Sequence, residues 1–305
     1  MVPVLPKRWL LAVVAVSCLF RHANALDPNR HVAQYVYEQW SAATGLPGGA
    51  VHAIAQSPDG YLWLGTDKGL VRFDGFNFQS VFPQSPVRND PILGLITDAE
   101  GELWVRMQAA GVLLYRHGNF ESATLTPGGT VSQVTAISRE NSGGILLSDL
   151  ISGTLRLRGG KVDVIAYPNV LRGASVTMSM AEMPGGKIWL GTLGAGLFYL
   201  ADGNATRVDA GLPERKINCL LPTGEKELWV GTDHGLFHWN GVAFRRAGLP
   251  PSFGDVQVLT ILRDGDSNIW VGTAKGLLRL DVSDTSLSSE LGILGNAAID
   301  TLFED

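Results

Sequence analysis

Few residues of this 305-residue chain are of a type and setting that could do chemistry, and they stand far apart. Arg106, Gln108, Asp149, Asp233 and His234 fall in short polar stretches that read as loops. An arginine there can clamp a carboxylate or sulfate through its planar fork, with the other four adding polar contacts. His234 has no second His or Cys at ligand spacing nearby, so neither it nor any other position reads as a metal site. No Ser-His-Asp or Cys-His arrangement recurs, and Asp59, Asp98 and Asp264 stand beside turns, where aspartate is favoured for backbone reasons. Gly191-Thr192-Leu193-Gly194-Ala195-Gly196 has the look of a dinucleotide loop. It opens a strand where such a loop would open a helix, so phosphate binding is not expected and no cofactor is implied.

The elements that must position these residues repeat. A hydrophobic pair ending in Trp, followed by Gly-Thr and a second Gly, recurs as YLWLGTDKG, ELWVRMQAAG, KIWLGTLGAG, ELWVGTDHG and NIWVGTAKG. The anchors are Trp63, Trp104, Trp189, Trp229 and Trp270, and Leu146 takes the same place in GILLSDLISG. Successive anchors lie 41, 42, 43, 40 and 41 residues apart, a period suited to a four-stranded propeller blade. The fold class expected is all-β, a β-propeller with six complete repeats and a partial seventh.

Each unit divides into four strands. The first runs through VHAIAQS at 51–57 and its counterparts, and its third position is always small: Ala53, Gly94, Ala136, Ser179, Cys219 and Thr260. A small column suits an innermost strand, where blades converge on the axis, and it makes Cys219 a packed small residue before a reactive thiol. The second strand carries the Trp, the third starts at a Gly present in all six units, and the fourth is a phenylalanine strand such as FNFQSVF at 76–82. Such a blade cannot bury both faces alone, so the Trp column is read as blade-to-blade packing. Units two and three break the Gly-Thr rule with Arg106-Met107 and Ser148-Asp149. Where a repeat departs from its own rule, architecture no longer explains the residue; the alternative is drift on a solvated loop.

The ends bear on the count of blades. Tyr35–Trp40 falls where the fourth strand of a preceding blade would lie, and Ile299-Asp300-Thr301-Leu302 matches Val51-His52-Ala53-Ile54. The matching Trp would fall at position 311, six beyond the last residue. A seven-blade ring lacking two middle strands, or a six-blade ring with two loose ends, both fit. Either way the reading expects part of a longer protein or a shortened gene product.

Residues 1–25 read as a secretory signal, with Lys7 and Arg8, an apolar stretch from Trp9 to Phe20, and Ala23-Asn24-Ala25 before the cleavage point. An uncleaved anchor or lipid attachment at Cys18 are the alternatives. Residues 26–305 then form the propeller domain. Cleavage removes three basic residues and no acid, which takes the net charge from −5 to −8 and leaves Cys219 as the only thiol. An acidic domain without a basic run is a poor nucleic-acid binder, no second membrane span is expected, and stability must come from packing and not from a disulfide.

With the blade defined, Glu38-Gln39-Trp40-Ser41, Thr44-Gly45-Leu46-Pro47, Asp59-Gly60, Leu62-Trp63-Leu64-Gly65-Thr66 and Arg72-Phe73-Asp74-Gly75 resemble the two-component regulator propeller family, and the resemblance covers residues 35–305. It implies the periplasmic sensor region of a bacterial membrane receptor. Relatives of that kind carry two seven-blade propellers, an immunoglobulin-like domain, a membrane helix and a histidine kinase or diguanylate cyclase output. The function so implied is a non-enzymatic, extracytoplasmic ligand-sensing propeller. Its partners would be a small molecule or glycan at the channel mouth, and downstream receptor domains. A propeller lyase acting at that mouth and a protein-binding scaffold are the competing readings.

Overall fold

A computed structural model gives the fold and describes residues 38–47, 49–81, 90–122, 124–125, 129–158, 161–167, 171, 176–281, 286–289 and 296–305. The secretory leader and Cys18 lie outside the described residues.

Six antiparallel sheets of four strands follow one another along the chain, each in simple meander order. Blade one consists of Val51–Gln56, Leu62–Thr66, Gly69–Phe73 and Phe78–Val81. Blade two is Ile92–Thr97, Leu103–Met107, Val112–Arg116 and Asn119–Ser122, and blade three Val134–Arg139, Ile145–Asp149, Gly153–Arg158 and Lys161–Ala166. Blade four is Thr177–Glu182, Ile188–Thr192, Leu197–Ala201 and Asn204–Val208. Blade five is Ile217–Gly224, Glu227–Thr232, Gly235–Trp239 and Phe244–Arg246, and blade six Val258–Arg263, Ile269–Thr273, Gly276–Asp281 and Ser286–Ser289. First strands of successive blades lie side by side, as expected of the innermost position.

The second strands show why the blades stack. Ile188–Thr192 and Ile269–Thr273 are buried at every residue, so both faces are covered and the sequence reads as a continuous apolar run. The anchors of blades one to five each share a core with the next blade. Trp104 packs with Ile145, Leu147, Leu155 and Leu157, and Trp229 with Ile269, Val271, Leu278 and Leu280. Leu146 does the same with Ile188, Leu190, Phe198 and Leu200.

The indole nitrogens are also held. Trp104 Nε1 donates to Asp98 Oδ2 at 2.7 Å and Trp270 Nε1 to Asp264 Oδ2 at 2.8 Å, six residues upstream in each case. These aspartates therefore do more than shape a turn: Asp98 also accepts the backbone amides of Glu100 and Glu102, Asp264 that of Asn268, and each fixes a tryptophan. In blade three, where Leu146 replaces Trp, Glu140 occupies the aspartate's place. Its side chain is fully buried and takes the guanidinium Nε of both Arg156 and Arg158.

The Gly-Thr pair has two separate tasks. The glycine lies opposite the small column, as in Ala53 against Gly65 and Cys219 against Gly231. A Cβ on Gly65 would sit 2.7 Å from Ile92 Cγ2, and one on Gly231 2.7 Å from Val258 Cγ1, so glycine lets the next blade's first strand close in. The threonine is wholly buried and closes the turn. Thr232 Oγ1 donates to Gly235 O at 2.9 Å and accepts from the His234 amide at 3.2 Å. The following glycine takes a positive φ, 124° at Gly235, which a Cβ would resist.

The partial seventh blade does not form a sheet. Ile299–Asp305 carry no strand, and the Ile299 amide donates to Thr273 O at 3.0 Å in place of a ladder. Among the described residues no strand pairs with this segment. At the other end Glu38–Trp40 are likewise not in a strand, and residues 35–37 lie outside the described residues.

Candidate functional site

Every first strand has a register shift between its first and third residues, at Val51/Ala53, Ile92/Gly94, Val134/Ala136, Thr177/Ser179, Ile217/Cys219 and Val258/Thr260. A bulge of this kind re-aims the residue it frees. The freed residues are His52, Leu93, Thr135, Met178, Asn218 and Leu259, and two of them reach the turns between second and third strands. His52 Nε2 lies 2.6 Å from Asp67 Oδ1, and Asn218 Nδ2 donates to Asp233 Oδ1 at 3.0 Å. This column was not singled out from the sequence. Its signal is weak, because the residues share no chemical type, only their place beside the small column.

Arg106 is the candidate that the fold places centrally. The sequence reading put it in a loop; it is the fourth residue of the strand Leu103–Met107, at the position the repeat gives to glycine. It pairs with Gly94, the smallest member of the small column, and its Nε lies 3.3 Å from where a Gly94 Cβ would be. Its side chain lines a cavity of about 200 Å³ with Ala53, Gly94 and Ala136 of three successive first strands, Met178 of a fourth, and Thr301. Thr301 thus stands beside the small column, as the alignment with Ala53 suggested. The first strands of blades one to four thus meet in this cavity, on the inner side of the blades.

The guanidinium there is only partly satisfied. Nη2 donates to Leu93 O at 3.0 Å and Nη1 to Val134 O at 3.4 Å, whereas the buried Nε has no hydrogen-bond partner. Among the described residues no carboxylate pairs with Arg106. Burial pushes its pKa down to about 10, which still leaves it cationic at neutral pH.

The other four expected site residues are engaged elsewhere, and no hydrogen bond joins any of the five to another. Asp149 replaces the turn-closing threonine of blade three. It is buried, and its carboxylate accepts the amides of Ile151, Ser152 and Gln133 at 3.0, 2.8 and 2.9 Å. In blade two, where Met107 takes that place, Asp90 from the preceding loop accepts the amides of Ala109 and Ala110 instead. Gln108 is exposed and its backbone N–H donates to Pro91 O at 2.9 Å. Asp233 accepts from Lys216 Nζ at 3.0 Å and Gln257 Nε2 at 2.8 Å as well as from Asn218. Burial opposes ionisation of Asp233, but the bonds from Asn218 and Lys216 outweigh it and hold the carboxyl below the usual range. His234 is exposed and lies 3.0 Å from Glu214 Oε2, which raises the imidazole above the ordinary histidine value. Among the described residues no three His, Cys, Asp or Glu side chains converge in a way that could hold a metal.

Cys219 sits in the small column with its sulfur 2.4 Å from where a Gly231 Cβ would be. Burial pushes the thiol up to about 12, so it is a packed small residue and a poor nucleophile.

Comparison with known proteins agrees with the blade reading. The profile of the Two component regulator propeller family matches residues 45–68 and 252–275, within blades one and six. Among solved structures, the chain is similar to an extracellular domain from B. thetaiotaomicron assigned to the hybrid two component system BT3049. Identity is 23% and the TM-score 0.70, over 88% of this chain and 39% of that one. A second extracellular domain from the same organism, of the system BT4673, aligns at 20% identity and TM-score 0.68, over 86% of this chain and 36% of that one. The chain thus spans about two fifths of the length of these domains. A virginiamycin B lyase from Staphylococcus aureus aligns at 15% identity and TM-score 0.61, over 80% of this chain and 83% of the lyase. No curated protein matches significantly. At these identities the structural likenesses show the fold. Among the described residues no helix is long and apolar enough to cross a membrane.

Proposed function

From a chain built of two-component regulator propeller repeats, we infer an extracytoplasmic ligand-binding propeller that serves the sensing part of a bacterial signal-transduction receptor. The observation that carries this reading is Arg106. A cation in the cavity between the inner strands, with one donor buried and unpartnered and, among the described residues, no facing carboxylate, is an incomplete site. An anionic group on a small molecule or glycan, a carboxylate or sulfate, would complete it with charge-assisted bonds. A ligand so held touches the first strands of several blades at once and can shift their relative positions, which is the mechanical requirement for passing a signal to domains beyond the propeller. The extracellular domains it resembles support an exported location.

The lyase reading is weaker. A His-to-Ala variant of the Staphylococcus aureus lyase is catalytically inactive. The Arg106 cavity, by contrast, is lined by apolar residues, Gly94 and Thr301, with no His, Asp or Glu to move a proton. The arrangement is one for holding a charge.

A thermal-shift screen of small carboxylates, organic sulfates and acidic glycans tests the proposal. An acidic compound should raise the melting temperature of the wild type, and Arg106→Ala should abolish the rise. A rise that survives the substitution removes Arg106 from the site. If no acidic compound stabilises the protein at millimolar concentration, the sensing proposal fails.

A further inference from the structure

Five blades carry an anchoring tryptophan, and in four of them the residue six places upstream holds its indole N–H. The acceptors are Ser57 Oγ, Asp98 Oδ2, Met183 Sδ and Asp264 Oδ2, at 2.8, 2.7, 2.7 and 2.8 Å. Blade five departs from this rule. The residue six before Trp229 is Thr223, and among the described residues no hydrogen bond holds the Trp229 indole nitrogen. The first strand of this blade has a second register shift, between Pro222 and Gly224, that the first strands of the other five blades lack. A bulge there re-aims Thr223, whose Oγ1 is buried without a hydrogen-bond partner. An indole N–H and a hydroxyl that the repeat elsewhere supplies with an acceptor are both left without one.

Both residues line a cleft of about 540 Å³ between blades five and six, within the roughly 300–1,000 Å³ of small-molecule sites. Trp229, His238 and Arg245 stand opposite one another on successive strands, so they share one face of blade five. The lining holds three arginines, Arg245, Arg246 and Arg263, against one acid, Glu227. Arg246 is committed to Asp255 and Arg263 donates to Ser267 Oγ at 2.9 Å, whereas among the described residues no ion pair or hydrogen bond holds Arg245. The corresponding cleft between blades two and three is the self-sufficient case. There Asp98 holds Trp104, Glu102 pairs with Arg116, and Glu140 with Arg158. That cleft draws its carboxylates from the chain; the cleft beside Trp229 has donors that the chain does not match.

We propose that the cleft between blades five and six is a second ligand site, which takes the carboxylate of a small molecule. That carboxylate would accept from Trp229 Nε1 and Thr223 Oγ1, in the place that Asp98 and Asp264 fill in blades two and six, and Arg245 would balance its charge. The ligand class is set by the repeat itself, since two blades show which group this position of the indole receives. The site does not depend on the Arg106 proposal: Arg106 belongs to blade two and does not line this cleft.

The probe is sodium acetate, titrated against sodium chloride at constant ionic strength. The indole N–H resonance of Trp229, assigned by its loss in Trp229→Phe, is followed by heteronuclear NMR, a readout local to the cleft. A saturable downfield shift is expected, equal in wild type and in Arg106→Ala. Arg245→Gln, at an exposed position, should weaken acetate binding at least tenfold. Thr223→Asp supplies the carboxylate that the repeat uses elsewhere, so it should move the resonance downfield with no acetate present and abolish the response to acetate. A shift that grows linearly with acetate overturns the proposal, as does one that Arg245→Gln leaves unchanged or Arg106→Ala removes. A folded Thr223→Asp that responds to acetate as wild type does overturns it too; if that variant does not fold, the Arg245→Gln titration decides.

Discussion

Arg106 shows how one substitution in a repeat can convert a packing position into a chemical one. The glycine it replaces lets neighbouring first strands approach, and Gly94 opposite gives back the space that the longer side chain takes. Glu140 is the structural counterpart. It stands where Asp98 and Asp264 hold an indole, but the anchor of its blade is Leu146, and Arg156 and Arg158 satisfy the buried carboxylate instead. Burial works against its ionisation, and the bonds from Arg158, Ser142 and Arg156 outweigh that and hold its pKa below the ordinary value. A depressed folded-state pKa gives stability that is present above the unfolded value, about 4.3 for Glu, and lost as pH falls through the folded one. Glu140→Gln should cost about 2 kcal/mol at neutral pH, for loss of bonds to a charged group. It should also flatten the acid limb of stability against pH, and urea unfolding from pH 3 to 7 measures both. At Cys219 the raised thiol pKa predicts labelling by iodoacetamide only on unfolding, readable by mass spectrometry with and without denaturant.

At the scale of the strand and its turn, the Gly-Thr pair was legible as architecture, but the reason for each half came from the structure. The glycine serves the neighbouring blade and the threonine serves the turn. Thr232→Val keeps the shape and removes both of the hydroxyl's hydrogen bonds in a fully buried site, so it should destabilise the protein by about 1–3 kcal/mol in chemical denaturation. Of the two lapses of the repeat, one pointed to a candidate ligand site and the other to an alternative cap. Asp149 does for blade three what threonine does elsewhere, and Asp90 does it for blade two from outside the repeat, where periodicity gives no signal. The strands were readable because period, small column and anchor agree. The bulged column was not, because a register shift leaves no mark on residue type. Asp233 and His234 were marked by polarity alone; their partners Lys216 and Gln257 stand just before the first strands of blades five and six, where the repeat fixes no residue type, and Glu214 lies in the connection between blades.

Across the whole molecule, the anchors of blades one to five each pack into the next blade, and stability is shared among neighbouring interfaces. The expected partial seventh blade is not a sheet: among the described residues no strand pairs with Ile299–Asp305. The groove between Leu62, Leu64 and the segment Ala298–Asp305 is mainly apolar, whereas the cavity at Arg106 holds a cation. The central claim is that the cavity at Arg106, and not the loop cluster at its mouth, binds an anionic group. Isothermal titration of an acidic ligand identified by the thermal-shift screen tests it most directly, using wild type, Arg106→Gln, Asp233→Asn and His234→Ala. The account predicts one site per chain, affinity at least tenfold weaker in Arg106→Gln, a loss of about 1.4 kcal/mol or more, and unchanged affinity in the other two variants. Equal binding by wild type and Arg106→Gln, with loss in Asp233→Asn or His234→Ala, would contradict it.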